Sequence, residues 1–321
     1  MSDKPVVAVL YANELPPGRE RLEAMAAVRY ATVDGLADAV DGADALFLWD
    51  FFSTAVKDVW DRAGSLKWIH VAAAGVDKLM FDELADSDVV VTNSGGIFDR
   101  PIAEFVLGSM LSFAKDMPLS FRLQSQKVWR HRETERLDDK SAVIVGTGAI
   151  GREIARLLAA VDVSVAGAGR TARSGDEDFG EVYESARLAE YAGDFDYVIV
   201  VAPLTPATRN LVDADVLAAM KPTARLINVG RGESVDADAL ADALSGESIA
   251  GAALDVFSPE PLPESSPLWE MDNVLVSPHM SGDAVGWLER LSDLFAANLD
   301  RYCRDAELVN IVDKRLGFVP R

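Results

Sequence analysis

The sequence predicts an α/β fold in which parallel sheets are covered by helices on both faces. Short apolar runs rich in β-branched residues alternate along the 321 residues with longer stretches of amphipathic, helix-like periodicity. This alternation is typical of strand–helix–strand repeats, and one apolar run leads directly into a glycine-rich turn. The predicted strands are 6–11, 45–49, 67–71, 89–92, 142–146, 163–167, 197–201, 225–229, 251–254 and 274–276. The predicted helices are 101–115, 150–160, 213–219, 236–245 and 286–303.

The predicted strands fall into two sets, which predicts two domains. Four strands lie in the first 95 residues and six begin at Ser141, with the helix-start signal Asp99-Arg100-Pro101 between the sets. We expect residues 100–284 to form one domain. The last predicted helix can return to cover the first sheet. Residues 1–99 and 285–321 are therefore expected to form a second, discontinuous domain.

The charge balance of the chain is strongly acidic. The 31 basic and 52 acidic residues give a net charge of −21. A surface of that sign disfavours binding to nucleic acids and to anionic membranes, and no apolar run approaches the roughly 18 residues of a membrane span. Cys303 is the only cysteine, which excludes an internal disulfide and a cysteine zinc site. We expect a protein of the reducing cytoplasm that uses no metal.

The glycine-rich turn has the spacing of a dinucleotide-binding loop. Residues 146–151 read Gly146-Thr147-Gly148-Ala149-Ile150-Gly151 and lie between a predicted strand and a predicted helix. Gly146 permits a tight turn, Gly148 lets the backbone approach a pyrophosphate, and Gly151 lets the helix pack closely on the strand. The amide groups at the start of the helix would then face the phosphates. The alternative is a tight strand–helix turn that binds no ligand.

The residues after the next strand favour NADP(H) over NAD(H). An NAD site usually has an acidic residue about 20 positions after the glycines, where it binds the ribose 2′-hydroxyl. Residues 167–174 contain no acid, and Arg170, Thr171 and Arg173 stand there instead. Arginine suits a 2′-phosphate because its guanidinium forms charge-assisted, often bidentate hydrogen bonds. The alternative is that both arginines are ordinary surface residues.

Three polar loops follow later strands of the same predicted domain. They are Asn228 to Gly232, Asp255 to Leu262 and Ser277 to Gly282. Each begins where a strand ends, and α/β sheets bind ligands at that edge. Together the loops could supply a carboxylate clamp, an acid and a proton carrier. Of the other two histidines, His70 lies in an apolar strand and is interpreted as structural, whereas His131 lies among charged residues and is interpreted as surface.

The order of these motifs resembles the NAD(P)-dependent D-isomer-specific 2-hydroxyacid dehydrogenases, in particular glyoxylate/hydroxypyruvate reductases. The resemblance rests on Ala74-Gly75-Val76-Asp77, the glycine turn, and Arg231, Glu260 and His279 in their loops. It implies two Rossmann-like domains with an active-site cleft between them. The dinucleotide-binding domain is residues 100–284, and the substrate-binding domain is built from both chain ends. A homodimer, packed across the helix near 101–115, is implied as well.

The same resemblance implies a role for each site residue. Arg231 would bind the substrate carboxylate and polarise the keto oxygen, His279 would donate the proton, and Glu260 would hydrogen-bond the imidazole and stabilise its charged form. Backbone amides of Ala74, Gly75 and Val76 would bind the substrate carboxylate. The cofactor contacts beyond the glycine and arginine turns would be Pro203, Thr208, Val229, Gly230, Asp255, Ser281 and Gly282. Trp49, after the second predicted strand, either lines the substrate pocket or is an ordinary core aromatic residue.

The function expected from these residues is NADP(H)-dependent reduction of small 2-keto acids to D-2-hydroxy acids. Glyoxylate, hydroxypyruvate and pyruvate are the expected substrates. One alternative is a 3-phosphoglycerate dehydrogenase-like enzyme of serine synthesis, although residues 50–80 hold only four basic residues for a substrate phosphate. The other is a nucleotide-sensing binding protein on the same fold, which the intact set of Arg231, Glu260 and His279 disfavours.

Overall fold

The computed structural model describes residues 4–320, and the chain divides into two compact units. One unit contains the residues up to 97 together with those from 284 onward, and the other contains residues 98–283. The boundaries expected from the sequence are 99/100 and 284/285. Residues 1–3 and 321 of the expected discontinuous domain lie outside the described residues. The assignment of substrate to one unit and cofactor to the other stays a prediction.

Residues 4–320 form strands, α-helices and short 3₁₀ segments, and none of these helices is both long and apolar enough to cross a lipid bilayer. The strands are β1 (Val6–Leu10), β2 (Ala27–Ala31), β3 (Ala45–Leu48), β4 (Trp68–Val71), β5 (Val90–Thr92), β6 (Ser141–Val145), β7 (Ser164–Gly169), β8 (Arg173–Asp176), β9 (Gly180–Glu184), β10 (Tyr197–Val200), β11 (Arg225–Asn228), β12 (Gly251–Leu254) and β13 (Val274–Val276). The α-helices are α1 (Arg19–Met25), α2 (Leu36–Val40), α3 (Asp82–Ala85), α4 (Asp99–Ala114), α5 (Met117–Ser125), α6 (Ala149–Ala159), α7 (Ala214–Ala219), α8 (Ala237–Ser245) and α9 (Trp287–Cys303). The 3₁₀ segments are Val33–Gly35, Lys57–Arg62, Ser185–Glu190, Ala192–Asp194, Gly232–Ser234 and Pro267–Glu270.

The discontinuous unit is built on a five-stranded parallel sheet in the order β2-β1-β3-β4-β5. Its central strand β3 reads Ala-Leu-Phe-Leu, and all four residues are buried, as expected for a strand covered on both faces. The C-terminal helix α9 covers one face. The Phe295 ring stacks on the Phe47 ring at a centroid distance of 4.0 Å and on the Trp68 ring at 5.1 Å. Burial of these rings holds α9 on the sheet of its own unit.

The second unit is built on an eight-stranded sheet in the order β13-β12-β11-β10-β6-β7-β9-β8. All its pairings are parallel except the antiparallel pair of β8 and β9. The predicted α/β class with parallel sheets is confirmed. The sequence pattern does not mark β8 and β9, and it predicts Arg173 in the turn after β7. The structure places Arg173 in β8, at the edge of the sheet.

The strand order collects the candidate residues at the carboxyl edge of each sheet. In the second unit, β6 leads into the glycine turn, and β11, β12 and β13 lead into the loops of Arg231, Asp255 and His279. The chain changes direction between the adjacent strands β6 and β10, which is where doubly wound sheets bind their ligands. In the discontinuous unit, the adjacent strands β3, β4 and β5 end at Trp49, at residues 72–76 and at residues 93–96.

Candidate active site

The glycine turn between β6 and α6 has no room for side chains at two of its positions. Gly146 has a φ of +116°, and a Cβ atom on it would lie 2.8 Å from the Ala202 amide nitrogen. A Cβ atom on Gly151 would lie 1.9 Å from the Gly146 carbonyl oxygen. The two glycines therefore let α6 begin directly above the end of β6. The N-cap residue Gly148 provides no side-chain cap, so the first amide groups of α6 are available to a phosphate.

Thr147 in this turn packs over the glycine-rich end of β7. A Cβ atom on Gly167 would lie 2.9 Å from Thr147 Cγ2, and one on Gly169 would lie 3.2 Å from Thr147 Oγ1. Because Gly167 and Gly169 have no side chains, the turn can pack closely against β7. Ala149 and Ile150 form the first turn of α6. The predicted pyrophosphate residues are therefore brought together in one compact turn.

The arginine turn after β7 contains two exposed cations, Arg170 and Arg173. Arg170 and Thr171 are exposed between β7 and β8. Arg173 donates from Nε and Nη2 to Asp176 Oδ2, at 2.9 and 2.8 Å. Arg173 therefore shares its charge with Asp176 before any ligand binds.

Asp176 is an acidic residue near this turn that the sequence analysis did not consider. Its side chain is only 5% exposed, and both of its oxygens accept hydrogen bonds from the Arg152 guanidinium at 2.9 Å. The Arg152 guanidinium, helped by Arg173, holds the pKa of Asp176 far below its usual range. Arg152 also pairs with Asp178, which in turn binds Arg156. This network joins α6 to the β8–β9 hairpin, and both carboxylate oxygens of Asp176 accept hydrogen bonds from arginines.

We expect D176N to destabilise the protein by about 3 kcal/mol at pH 7, because it leaves Arg152 without its main carboxylate partner in a buried site. Since the folded state lowers the pKa of Asp176, the stabilisation is present above the unfolded pKa, near 4, and is lost as the pH falls below it. Urea unfolding of both proteins at pH 7 and pH 3.5 measures this difference. The exposed Asp293, paired with Arg21, provides a control, and D293N should change stability by less than about 0.5 kcal/mol. Equal unfolding midpoints for D176N and the wild type at pH 7 would contradict the assignment.

The loop after β11 is held by Asn228, and it positions Arg231. Asn228 is 1% exposed, donates from Nδ2 to the Arg231 carbonyl at 3.0 Å, and accepts from the Gly230 amide at 3.1 Å. A Cβ atom on Gly232 would lie 2.1 Å from the Phe257 carbonyl carbon, so this loop packs directly against the one that carries Glu260. The Arg231 guanidinium donates to the Gly230 carbonyl at 2.8 Å. Val229 and Gly230 are buried beneath it.

Glu260 and His279 form a hydrogen-bonded pair. His279 Nδ1 and Glu260 Oε2 are 2.9 Å apart, and about a third of each side chain is exposed. Glu260 Oε1 also accepts from the Phe257 amide at 2.8 Å. Partial burial would raise the pKa of Glu260, but these two hydrogen bonds and the nearby charge of Arg231 bring it below its usual value. An ionised carboxylate only accepts, so Nδ1 carries the hydrogen of this pair, and Nε2 is the ring nitrogen that would exchange a proton with a ligand.

Asp255 fixes the backbone around His279. Its carboxylate, which is fully buried, accepts from Ser277 Oγ at 2.7 Å and from the amides of Met280 and Ser281 at 2.9 and 3.0 Å. Its carbonyl accepts from the His279 amide at 2.7 Å. These bonds hold His279 at a φ of +54°, in the left-handed region. The geometry gives Asp255 a role in shaping the loop, and its predicted contact with the nicotinamide stays a prediction.

The remaining predicted cofactor residues lie beside these loops. Thr208 Oγ1 donates to the Pro203 carbonyl at 2.7 Å and closes the turn that follows β10. Ser281 and Gly282 are buried directly after the His279 turn. Within residues 4–320, no group of His, Cys, Asp or Glu side chains has the arrangement of a metal site.

The discontinuous unit contains the predicted substrate residues. Ala74, Gly75 and Val76 form a loop after β4. Trp49 is 8% exposed, packs edge-on against Phe47 at a centroid distance of 5.6 Å, and donates from its indole nitrogen to the Glu14 carbonyl at 3.0 Å. Most of the Trp49 side chain thus contributes to the core of its own unit. A place for it in the substrate pocket stays a prediction.

Comparison with known proteins identifies the family. The family model for the NAD binding domain of D-isomer specific 2-hydroxyacid dehydrogenases matches residues 107–281, more than half of the chain. The matched segment contains the glycine turn, Arg231, Glu260 and His279. The chain belongs to this family. It is an NAD(P)-dependent 2-hydroxyacid dehydrogenase, an enzyme that acts on CH–OH groups.

Relatives of this dehydrogenase extend over nearly its full length. A glyoxylate reductase from Thermofilum pendens is 31% identical over 91% of this chain and 84% of that protein. A D-isomer specific 2-hydroxyacid dehydrogenase from Xanthobacter autotrophicus Py2, solved with NADPH and MES, is 30% identical with a TM-score of 0.83, and covers 98% of this chain and 100% of that one. An NADPH-dependent glyoxylate/hydroxypyruvate reductase from Sinorhizobium meliloti, solved with NADP and malonate, is 30% identical with a TM-score of 0.82, and covers 99% of each chain.

Several residues that shape the site of this dehydrogenase lie outside the motifs that the sequence shows. Arg152 and Asp176 organise the arginine turn, and Ser277 orders the His279 loop through Asp255. Asp283 lies near the same loop, where partial burial and the charge of Asp255 raise its pKa. Asp283 follows His279 by four positions, and that proximity is the only sequence signal that marks it. His70, interpreted as structural, is fully buried, hydrogen-bonds to Thr92 at 2.7 Å, and has its pKa lowered to about 3 by burial.

Proposed function

We propose that this dehydrogenase reduces small 2-keto acids, such as glyoxylate, hydroxypyruvate and pyruvate, with NADP(H) as the preferred cofactor. The products are D-2-hydroxy acids wherever a stereocentre forms. The observation that carries the proposal is the hydrogen-bonded pair of His279 and Glu260, which lies at the same sheet edge as Arg231 and the glycine turn. The relatives described as glyoxylate or glyoxylate/hydroxypyruvate reductases support the substrate class.

Each residue at this edge has a separate role in the reduction. A bound nicotinamide cofactor supplies the hydride to the keto carbon. Arg231 pairs with the substrate carboxylate and polarises the keto oxygen, for which a planar, permanently charged guanidinium is suited. His279 transfers its Nε2 proton to that oxygen, and Glu260 orients the ring and stabilises the imidazolium before the transfer. One keto acid, one hydride and one proton give one hydroxy acid. In the oxidative direction, His279 accepts the proton.

Backbone amides of the loop after β4 complete the proposed substrate site. Within residues 4–320, the N–H groups of Ala74, Gly75 and Val76 donate to no protein acceptor. Three consecutive donors without protein partners favour an anionic ligand, and a substrate carboxylate has that charge.

The test of this function is a steady-state assay of the loss of reduced-nicotinamide absorbance. Glyoxylate, hydroxypyruvate and pyruvate are each supplied with NADPH and with NADH. We expect turnover with at least one keto acid and a kcat/KM for NADPH at least tenfold above that for NADH, a ratio equal to about 1.4 kcal/mol. A preference for 3-phosphohydroxypyruvate would indicate the serine-synthesis alternative. NADPH binding without turnover of any keto acid would indicate the nucleotide-sensing alternative.

The NADP(H) preference is assigned to Arg170 and Arg173, the two cations of the arginine turn. We expect R170A to raise KM for NADPH about 10- to 100-fold, because one charge-assisted hydrogen bond to the 2′-phosphate contributes roughly 1.5–3 kcal/mol. KM for NADH should change less than about twofold. R173A is the companion variant, and it should also raise KM for NADPH more than KM for NADH. Equal increases in KM for both cofactors in R170A would contradict this assignment.

We also propose that the enzyme is a homodimer that uses α4, α5 and the segment after them. This surface exposes several large apolar side chains, which would be left in water in a monomer. They are Leu111, Met117, Phe121, Val128 and Trp129. We expect sedimentation to show a dimer for the wild type and a monomer for the double variant F121D/W129D. Val285 is equally exposed but lies outside this surface, so V285D should remain dimeric. A wild type that sediments as a monomer would contradict the proposal.

A further inference from the structure

Two asparagines of the discontinuous unit, Asn93 and Asn310, are hydrogen-bonded to each other, and Asn93 is also hydrogen-bonded to the loop that follows β4. Asn93, at the end of β5, is 4% exposed. Its Nδ2 donates to the Ala74 carbonyl at 2.5 Å, and its Oδ1 accepts from the Gly95 amide at 3.1 Å. Both ends of the side-chain amide are therefore used, which fixes its orientation. The neighbouring Ser94 amide donates to the Ala73 carbonyl at 2.9 Å and anchors the start of the same loop.

Asn310, from the C-terminal segment, holds Asn93 in place. Its Nδ2 donates to the Gly95 carbonyl at 2.9 Å and to the Asn93 carbonyl at 3.3 Å, and its own carbonyl accepts from the Asn93 amide at 3.2 Å. Asn310 has a φ of +59°, which asparagine tolerates better than most residues. Two residues later, the Val312 amide donates to the Val91 carbonyl at 2.8 Å, so the segment continues along β5. The end of the chain thereby fixes the residues that support the loop.

The contact at the Ala74 carbonyl determines the direction of the next amide. The Ala74 carbonyl and the Gly75 N–H belong to one peptide group, and in a trans peptide these two bonds point in opposite directions. Because the carbonyl points toward the buried Asn93, the Gly75 N–H points away from the core. That N–H donates to no acceptor within residues 4–320.

We propose that Asn93, braced by Asn310, is a positioning residue that turns the Gly75 N–H toward the substrate carboxylate. The inference rests on the proposed function, which assigns this loop to the carboxylate. Without the Asn93 donor, the 74–75 peptide is free to rotate and can present its carbonyl oxygen to the anion instead. Asn93 therefore acts on keto acid binding through the loop that follows β4, whereas the cofactor turn is built from other residues.

The test compares N93D with S94A in the full-length enzyme. Aspartate keeps the shape of asparagine but has no donor for the Ala74 carbonyl. Ser94 is also buried, but its side chain hydrogen-bonds to His70 and to the Val71 carbonyl rather than to residues 74–76. KM for glyoxylate or hydroxypyruvate, KM for NADPH, kcat and the melting temperature are measured for each. The dissociation constant of oxamate from the enzyme–NADPH complex reports carboxylate binding without turnover.

We expect N93D to raise KM for the keto acid and the oxamate dissociation constant at least tenfold, with KM for NADPH within twofold of the wild type. S94A should leave both carboxylate values within threefold. If N93D does not fold, N310A, which removes only the brace, should raise the same two values at least threefold. An unchanged keto acid KM and oxamate dissociation constant in folded N93D, or an equal rise of both in S94A, would overturn the inference. The proposed function would still hold in that case if the wild type turned over a keto acid. A wild type that neither binds oxamate nor turns over any keto acid would overturn both.

Discussion

The variant H279Q should lose roughly a thousandfold in kcat for keto acid reduction and still bind NADPH with an affinity within twofold of the wild type. Glutamine fills a similar space and can hydrogen-bond to Glu260, but it has no titratable proton. General acid catalysis by a positioned side chain contributes about 10²- to 10⁴-fold, which sets the size of the loss. Steady-state kinetics measure the rate, and quenching of NADPH fluorescence measures cofactor binding.

The exposed His131 provides the matched control for this variant. H131Q should have the kcat of the wild type. If H279Q retained more than a tenth of the wild-type kcat, another group would have to be the proton donor. Asp283, whose pKa is raised by partial burial and by Asp255, would be the next residue to test. Loss of NADPH binding in H279Q would instead indicate that the His279 turn holds the cofactor.

The variant R231K should lower kcat/KM for the keto acid by roughly 100- to 1,000-fold while keeping the positive charge. Lysine is a point charge on a flexible stem and cannot form the two parallel hydrogen bonds that a guanidinium makes with a carboxylate. The supporting loop, held by Asn228, should be unaffected because its contacts to residue 231 involve the backbone. Kinetics with varied glyoxylate or hydroxypyruvate measure the loss, and KM for NADPH should stay within about threefold.

R187K is the control for this charge-conserving change. Arg187 is exposed on the surface of the same unit and pairs with Glu190, so the substitution should leave kcat/KM unchanged. An R231K enzyme within threefold of the wild type would show that charge alone suffices at this position. The assignment of bidentate carboxylate binding to Arg231 would then be wrong.

The sequence predicted the buried strands well and the exposed ones poorly, for a physical reason. Central strands such as β3 and β10 are covered on both faces, so they appear as continuous apolar runs. The missed strands β2 and β8 lie at sheet edges, β9 lies next to the edge strand β8, and all three are largely exposed or only partly buried. Polar side chains are tolerated there, and no apolar alternation marks these strands.

The site was predictable where the chemistry lies in a local motif. Arg231, Glu260 and His279 each lie in a loop that follows a strand, and the strand order brings these loops to one edge. The supporting contacts join residues far apart in the chain, such as Asn93 with Asn310, and Arg152 with Asp176. No periodicity connects such pairs, so only the folded structure reveals them. Asp255 illustrates a mixed case, since the motif located the residue but not its hydrogen bonds to the loop that carries His279.

The most direct measurement of the central claim is the fate of deuterium in a reaction of the wild-type enzyme with hydroxypyruvate. NADPH carrying deuterium at the transferable C4 position is supplied, and the glycerate formed is examined by mass spectrometry and chiral separation. Direct hydride transfer at the site of Arg231, Glu260 and His279 predicts D-glycerate with one deuterium on C2. Unlabelled glycerate or L-glycerate would contradict the account.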